Sequence, residues 1–156
     1  MRYLRQSFGI AALLAAFGIA QAVVGARELE RVPPTTRMPN LPLSNLLASA
    51  GLALMVVLYG ALGRAMARSG IKATTAAARG ALAGFVAGLV AGIAQALLQA
   101  DFFRDVLLTY SLSDAFLGAV LGAVIVLEPL AGAAAGAIFT WLAYLLFRPI
   151  RRAGTA

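Results

Sequence analysis

This 156-residue sequence contains six carboxylate side chains, no histidine and no cysteine. Without imidazole or thiol groups, the chain lacks the usual ligands of haem, zinc and iron–sulfur clusters, and it lacks a histidine general base. The acids are Glu28, Glu30, Asp101, Asp105, Asp114 and Glu128. Their spread along the sequence does not group them as a catalytic centre requires. We therefore expect a protein that is not an enzyme and that binds neither a metal nor a cofactor.

Asp101 and Asp105 have the spacing that best suits shared chemistry, because residues four apart lie on one face of a helix. Two carboxylates in this arrangement could bind a metal ion in a membrane-embedded enzyme that acts on lipids. Acidic residues interleaved with Arg104, as here, more often form a solvated helix face. A lipid enzyme is therefore the weakest of the three functional hypotheses that the sequence allows.

The composition places the chain in the membrane class. Hydrophobic residues make up 62% and charged residues 12% of the sequence, whereas soluble domains contain about 45–50% and about 25%. So few charges cannot cover a surface that faces water. The net charge of +7 indicates contact with anionic lipid headgroups on the cytoplasmic side, and we expect no nucleic-acid partner.

Four segments are long and apolar enough to cross a hydrocarbon core of about 30 Å, which takes about 20 helical residues. They occupy residues 7–26, 44–63, 80–100 and 119–147. We therefore predict an all-α polytopic membrane protein in which residues 1–156 form one transmembrane helical bundle. Arg2, Arg5 and the small residues around Gln21 also fit a secretory signal peptide. The first apolar run is longer than the roughly 7–15 residues of such a peptide, which favours a retained span.

Lysine and arginine residues are distributed unequally among the connections, and this distribution predicts the orientation. With the N-terminus in the cytoplasm, nine positive residues face inward and four face outward. The inward residues are Arg2, Arg5, Arg64, Arg68, Lys72, Arg79, Arg148, Arg151 and Arg152, and the outward residues are Arg27, Arg31, Arg37 and Arg104. A fifth span, made by dividing 115–147 at Pro129, would remove this bias. We expect both termini in the cytoplasm and a multi-pass location in the bacterial cytoplasmic (inner) membrane.

Three further segments carry structural signals of their own. The proline-rich residues 27–43 predict an extended loop. Residues 101–114 place most apolar residues on one helical face and charged residues on the other, which predicts a helix in the outer membrane interface. An irregular loop is the alternative. Residues 115–127 are also apolar, so the last span is one long tilted helix, begins with a re-entrant segment, or is covered there by another subunit.

Glycine recurs at every fourth position in the third span, and pairs with the same spacing recur in the fourth. The positions are Gly80, Gly84, Gly88, Gly92, Gly118, Gly122, Gly132 and Gly136. A helical stripe without side chains lets another helix approach closely within a membrane, where lipid supplies no hydrophobic drive for association. We interpret the stripes as a glycine zipper that packs helices within the bundle. Packing against another subunit, or against a second copy of the chain, is the alternative.

Polar residues of the spans gather toward the predicted outer side. Glu128 precedes Phe147 by 19 residues, or about 28 Å of helix, which places Glu128 at the outer boundary if Phe147 marks the inner one. We predict that five residues line an outward polar pocket: Gln21, Asn45, Gln95, Gln99 and Glu128. Such a pocket could hold a cation, a lipid headgroup or a quinone head, or could dock a partner protein. The alternative is an interfacial carboxylate beside a helix bend at Pro129.

Two functions follow from these features. The leading hypothesis is a non-enzymatic accessory, scaffold or assembly subunit that packs into a larger membrane complex. It depends on the glycine stripes, the uncovered apolar residues 115–127 and the lack of catalytic groups. The alternative is a small homo-oligomeric transporter or ion-coupled channel that uses Glu128.

Overall fold

The computed structural model of the chain describes residues 2–33, 35–36 and 40–148. Four helices contain most of them: α1 (Arg2–Leu29), α2 (Pro42–Arg68), α3 (Ala73–Thr109) and α4 (Asp114–Phe147). Arg37, Arg151 and Arg152, which contribute to the predicted orientation, lie outside the described residues. The same is true of Pro34 and Pro39 in the predicted extended loop, and of both chain termini.

All four helices are long and apolar enough to cross a membrane. The prediction of an all-α chain with four such helices is confirmed, and a multi-pass membrane protein is the class that fits. The 37 residues of α3 and the 34 of α4 correspond to about 56 Å and about 51 Å of helix. Both lengths exceed the roughly 30 Å of a hydrocarbon core, so each helix is longer than one perpendicular crossing requires.

Local sequence signals explain where α2 begins and ends. The helix begins at Pro42, whose ring presets a helical φ and whose missing N–H is not needed in the first turn. It ends just before Gly70, which adopts a φ of +69°. This left-handed conformation carries little steric cost for glycine. The connection to α3 is short for that reason, and the two helices run in opposite directions.

The helices form an up–down–up–down bundle. α3 and α4 share the most extensive contact, α1 lies beside α2 and α3, and α4 also lies beside α2. We call the end with the connections 30–41 and 110–113 the upper end, and the end with the connection 69–72 the lower end. Small buried side chains such as Ala76 and Ala83 let the helices approach closely in the lower half.

α3 and α4 are in main-chain contact at their glycines. A Cβ atom built on Gly80 would overlap the carbonyl oxygen of Gly136, and one built on Gly84 would overlap that of Gly132. Main-chain atoms cannot rotate away as the end of a flexible side chain can. A side chain at either α3 position would therefore force the two helices apart, and glycine permits their close approach.

The glycines in the first half of α4 have a different environment. No described atom outside the local helix lies within 4 Å of a Cβ built on Gly118 or Gly122. Two pairs of glycines with the same spacing of four residues therefore differ in their surroundings. Gly132 and Gly136 contact α3, whereas Gly118 and Gly122 face open space.

One segment differs from the sequence prediction, and a second agrees with one of its alternatives. Residues 101–109 are the last part of α3 and not a separate interfacial helix, because no helix-breaking residue separates them from Ala100. Residues 115–127 belong to the single long helix α4, which was one of the three predicted alternatives and which does not turn back at Pro129. Pro129 removes one hydrogen bond of the helix. Gly88 of α3 lies against Pro129, and its missing side chain leaves room for the proline.

Candidate functional site

Two adjoining cavities lie between the helices of the bundle, and both are partly open to its surface. The upper cavity, of about 280 Å³, lies beside the connection 30–41 and is lined by residues of α1, α2 and α3 and by Glu128 of α4. The lower cavity, of about 340 Å³, is lined by residues of all four helices. Gly18, Gln21, Ala91 and Glu128 line both. The two cavities therefore meet at the level of Glu128 and Gln21.

Glu128 alone carries a charge among the described residues that line the two cavities. Its carbonyl group lies against Gly88, and its Cβ lies 3.0 Å from a Cβ built on Gly92. The side chain is half-buried, and no hydrogen bond or ion pair joins it to another described residue. A carboxylate held partly away from water without a partner is costly. The site would therefore stabilise a ligand that carries positive charge or donates hydrogen bonds.

Three glutamines border the same space. Gln21 lies where the cavities meet, and Gln95 and Gln99 line the upper cavity. Gln99 is only 8% exposed. None of the three amides hydrogen-bonds to another described residue. Because an amide offers both donors and an acceptor, the upper cavity can solvate a polar group of either kind.

The lower cavity is apolar below the level of Glu128. Leu14, Phe17, Leu52 and Met55 form much of its wall. Tyr59 lies at its lower limit and is 0% exposed, with a hydroxyl that has no hydrogen-bond partner among the described residues. The tyrosine ring therefore closes the cavity on the side of the lower end.

Glu28 joins α1 to α2 above the upper cavity, a contact that the sequence analysis missed. Its carboxylate accepts hydrogen bonds from the amides of Leu43 and Ser44, both at 2.9 Å, and from the Ser44 hydroxyl at 2.6 Å. These amides belong to the first turn of α2, where main-chain N–H groups have no partner within the helix. The one signal in the sequence was an acid before a loop that ends in Pro42 at a helix start.

The structure brings together four of the five residues predicted to form the pocket. Gln21, Gln95, Gln99 and Glu128 line one or both cavities. Asn45 is exposed and lines neither. Its neighbour Ser44 lines the upper cavity instead, because consecutive helical residues point about 100° apart.

The position of Glu128 along α3 differs from the outer position expected from the sequence. Glu128 packs between Gly88 and Gly92, in the middle of the predicted third span 80–100 and not at its outer end. The expected position was measured from Phe147 as the inner boundary. Gly136 already lies opposite Gly80, the first residue of that span, so Phe147 lies below the boundary. The last eleven residues of α4, 137–147, therefore extend below the span from which the depth was measured.

Asp101 and Asp105, the acids of the lipid-enzyme hypothesis, lie exposed near the upper end. Asp101 forms an ion pair with Arg104 at 3.5 Å. Within residues 2–33, 35–36 and 40–148, no three acidic, histidine or cysteine side chains come close enough together to hold a metal ion. The observed contact is that of a solvated helix face.

No protein-family model, no curated protein sequence and no solved structure matches the chain. The function must therefore be inferred from the bundle and its cavities alone.

Proposed function

We propose that this chain is a non-enzymatic membrane transporter that binds a small solute at Glu128. The observation that carries the proposal is an acidic side chain without a described partner at the point where two cavities meet. Ionisable residues within transmembrane helices are costly, and they commonly mark substrate or ion pathways. Of the functions predicted from the sequence, this is the transporter alternative.

The proposal includes an orientation in which the upper end faces outward from a bacterial cytoplasmic membrane. Arg64, Arg68 and Lys72 at the lower end would then contact anionic headgroups of the cytoplasmic leaflet. Close packing below the cavities supports a shape closed toward the cytoplasm. Gly63 of α2 lies against the main chain of Thr140 there, as Gly80 lies against Gly136.

Single-cysteine labelling tests both the site and the orientation, because the sequence contains no cysteine of its own. Gln95→Cys should react with a membrane-impermeant maleimide added outside intact cells, because the upper cavity is polar and lies beside the connection 30–41. Thr36→Cys in that connection should react as well. Lys72→Cys, in the connection 69–72, should react only after the membrane is permeabilised.

Leu97→Cys is the matched control on α3. Leu97 is 74% exposed on the surface of the bundle and would face lipid, where a maleimide finds no reactive thiolate. Equal labelling of positions 95 and 97 would contradict a water-filled cavity. Labelling of Lys72→Cys in place of Thr36→Cys would contradict the orientation.

A second function, an accessory or assembly subunit of a larger complex, has one specific observation in its favour. The tip of the α3–α4 hairpin exposes large apolar side chains, with Leu108 68% exposed and Phe116 49% exposed. Gly118 and Gly122 face open space next to them. Purification in a mild detergent should then yield a stoichiometric partner, and Leu108→Ser with Phe116→Ser should release it. A clean single-chain species would contradict this function.

A further inference from the structure

We infer that the solute bound at Glu128 is an amphipathic organic cation, with its ammonium group at the junction of the cavities and its apolar tail in the lower cavity. This inference rests on the proposed function and narrows it to one class of ligand. The sequence alone left a cation, a lipid headgroup and a quinone head as alternatives. Three structural observations separate them.

The first observation is the charge of the lining. Neither cavity has a lysine or arginine among its described lining residues, whereas both include Glu128. A phosphate or carboxylate headgroup would meet a like charge and no cation to offset it. A neutral quinone head would leave the carboxylate unpaired in a partly desolvated site. An ammonium group pairs with it and can also donate to the carbonyl oxygen of Gln21.

The second observation is the order of polarity along the cavities. Glutamine side chains and Ser44 line the upper cavity, whereas leucine, phenylalanine and methionine side chains line the lower one. A hydrated metal ion would gain no favourable contact in the apolar lower cavity. An alkyl tail removes its own surface from water there, which contributes about 0.8 kcal/mol per methylene group.

The third observation is the closed lower limit. Tyr59 is fully buried at the bottom of the lower cavity, so the tail does not continue toward the lower end. The cavity is open at its side, where the lining residue Leu52 is exposed. The cavity volume of about 340 Å³ favours a compact tail over the long acyl chains of a membrane lipid. A free amphiphilic amine of small size fits all three observations.

Matched probes with one tail and three headgroups test the charge. Hexylammonium, hexanol and hexanoate are titrated calorimetrically into nanodiscs that carry the protein, and the heats of empty nanodiscs are subtracted. Hexylammonium should bind about tenfold more tightly than hexanol, because a hydrogen bond to a charged group exceeds a neutral one by about 1.4 kcal/mol. Hexanoate should show no protein-dependent binding. Glu128→Gln should reduce the affinity for hexylammonium to that for hexanol.

The position of the tail is tested by filling the lower cavity. Ala135 lines it, whereas the neighbouring Ala134 is exposed on the outside of α4 and lines neither cavity. Ala135→Leu should abolish the preference for hexylammonium over methylammonium and leave methylammonium binding intact. Ala134→Leu, the matched control, should leave both affinities unchanged. An unchanged tail preference in Ala135→Leu would overturn the placement of the tail.

Failure of this inference and failure of the proposed function give different results. Equal binding of hexanol and hexylammonium, or tighter binding of hexanoate, would overturn the cation and leave a ligand site at the cavities. An absence of protein-dependent binding for all three probes would also overturn the inference. The labelling of Gln95→Cys would then decide separately whether the cavity opens to water.

Discussion

The carboxylate of Glu28 accepts two hydrogen bonds from Ser44, one from its main-chain amide at 2.9 Å and one from its hydroxyl at 2.6 Å. This contact ties the last turn of α1 to the first turn of α2 across the connection 30–41. The negative charge also lies at the N-terminal, positive end of the α2 dipole. The upper cavity lies directly below, because Ser44 is part of its lining.

Replacement of Glu28 by Gln should loosen this junction. The amide has one acceptor oxygen with two lone pairs and no charge, so it cannot accept from the Leu43 amide, the Ser44 amide and the Ser44 hydroxyl together. We expect a lower midpoint of thermal unfolding in detergent and faster hydrogen exchange at these two amides. Glu30→Gln is the control, because Glu30 is exposed and its carboxylate accepts no hydrogen bond from another described residue. Equal effects of the two variants would contradict a specific role for Glu28.

Gly84→Ala should destabilise the bundle by about 1–3 kcal/mol, because the new methyl group would overlap a backbone carbonyl that cannot move aside. That carbonyl belongs to Gly132. The measurement is equilibrium unfolding in mixed detergent and dodecyl sulfate.

Gly122→Ala provides the matched control for this substitution. Its methyl group would meet open space, and alanine favours a helix over glycine by about 1 kcal/mol. The control should therefore be neutral or slightly stabilising. If Gly84→Ala behaves in the same way, the close contact between α3 and α4 is absent in the membrane protein.

Glu128→Gln should raise the free energy of unfolding by about 1–3 kcal/mol, because it removes a partly buried carboxylate that has no partner. A gain in stability on substitution is expected for a residue that is retained for function at the expense of stability. If Glu128 were a structural residue, the same substitution would remove favourable contacts and destabilise the bundle. Asp114→Asn, at the exposed start of α4, is the control and should give no gain.

Tyr59 allows the hydroxyl and the ring to be tested separately. Tyr59→Phe should be neutral or stabilising by about 1 kcal/mol, because the hydroxyl is buried without a partner and its desolvation is not compensated. Tyr59→Ala should destabilise by about 3–5 kcal/mol, as expected for loss of a fully buried ring. A loss of stability in Tyr59→Phe would show that the hydroxyl has a partner in the membrane-embedded protein.

The number of helices and their apolar character could be predicted from the amino-acid sequence alone. Hydropathy and length are properties of a single segment, so segments such as 80–100 could be identified without knowledge of their neighbours. The spacing of Gly80 and Gly84 likewise placed these residues on one stripe. Gln21, Gln95, Gln99 and Glu128 stood out for a similar reason, because a polar residue in an apolar segment is conspicuous wherever the helix packs.

Which turn of α3 faces which turn of α4 depends on the packing of the whole bundle. Glycines repeated every four residues would meet glycines again after a slip of one helical turn, so the spacing alone does not select a register. The contacts of all four helices select the one in which Gly84 meets Gly132 and Glu128 lies between Gly88 and Gly92. That register moves the carboxylate from the predicted outer boundary to the middle of α3. The contact between Glu28 and Ser44 depends in the same way on residues that are distant in the sequence and adjacent only after folding.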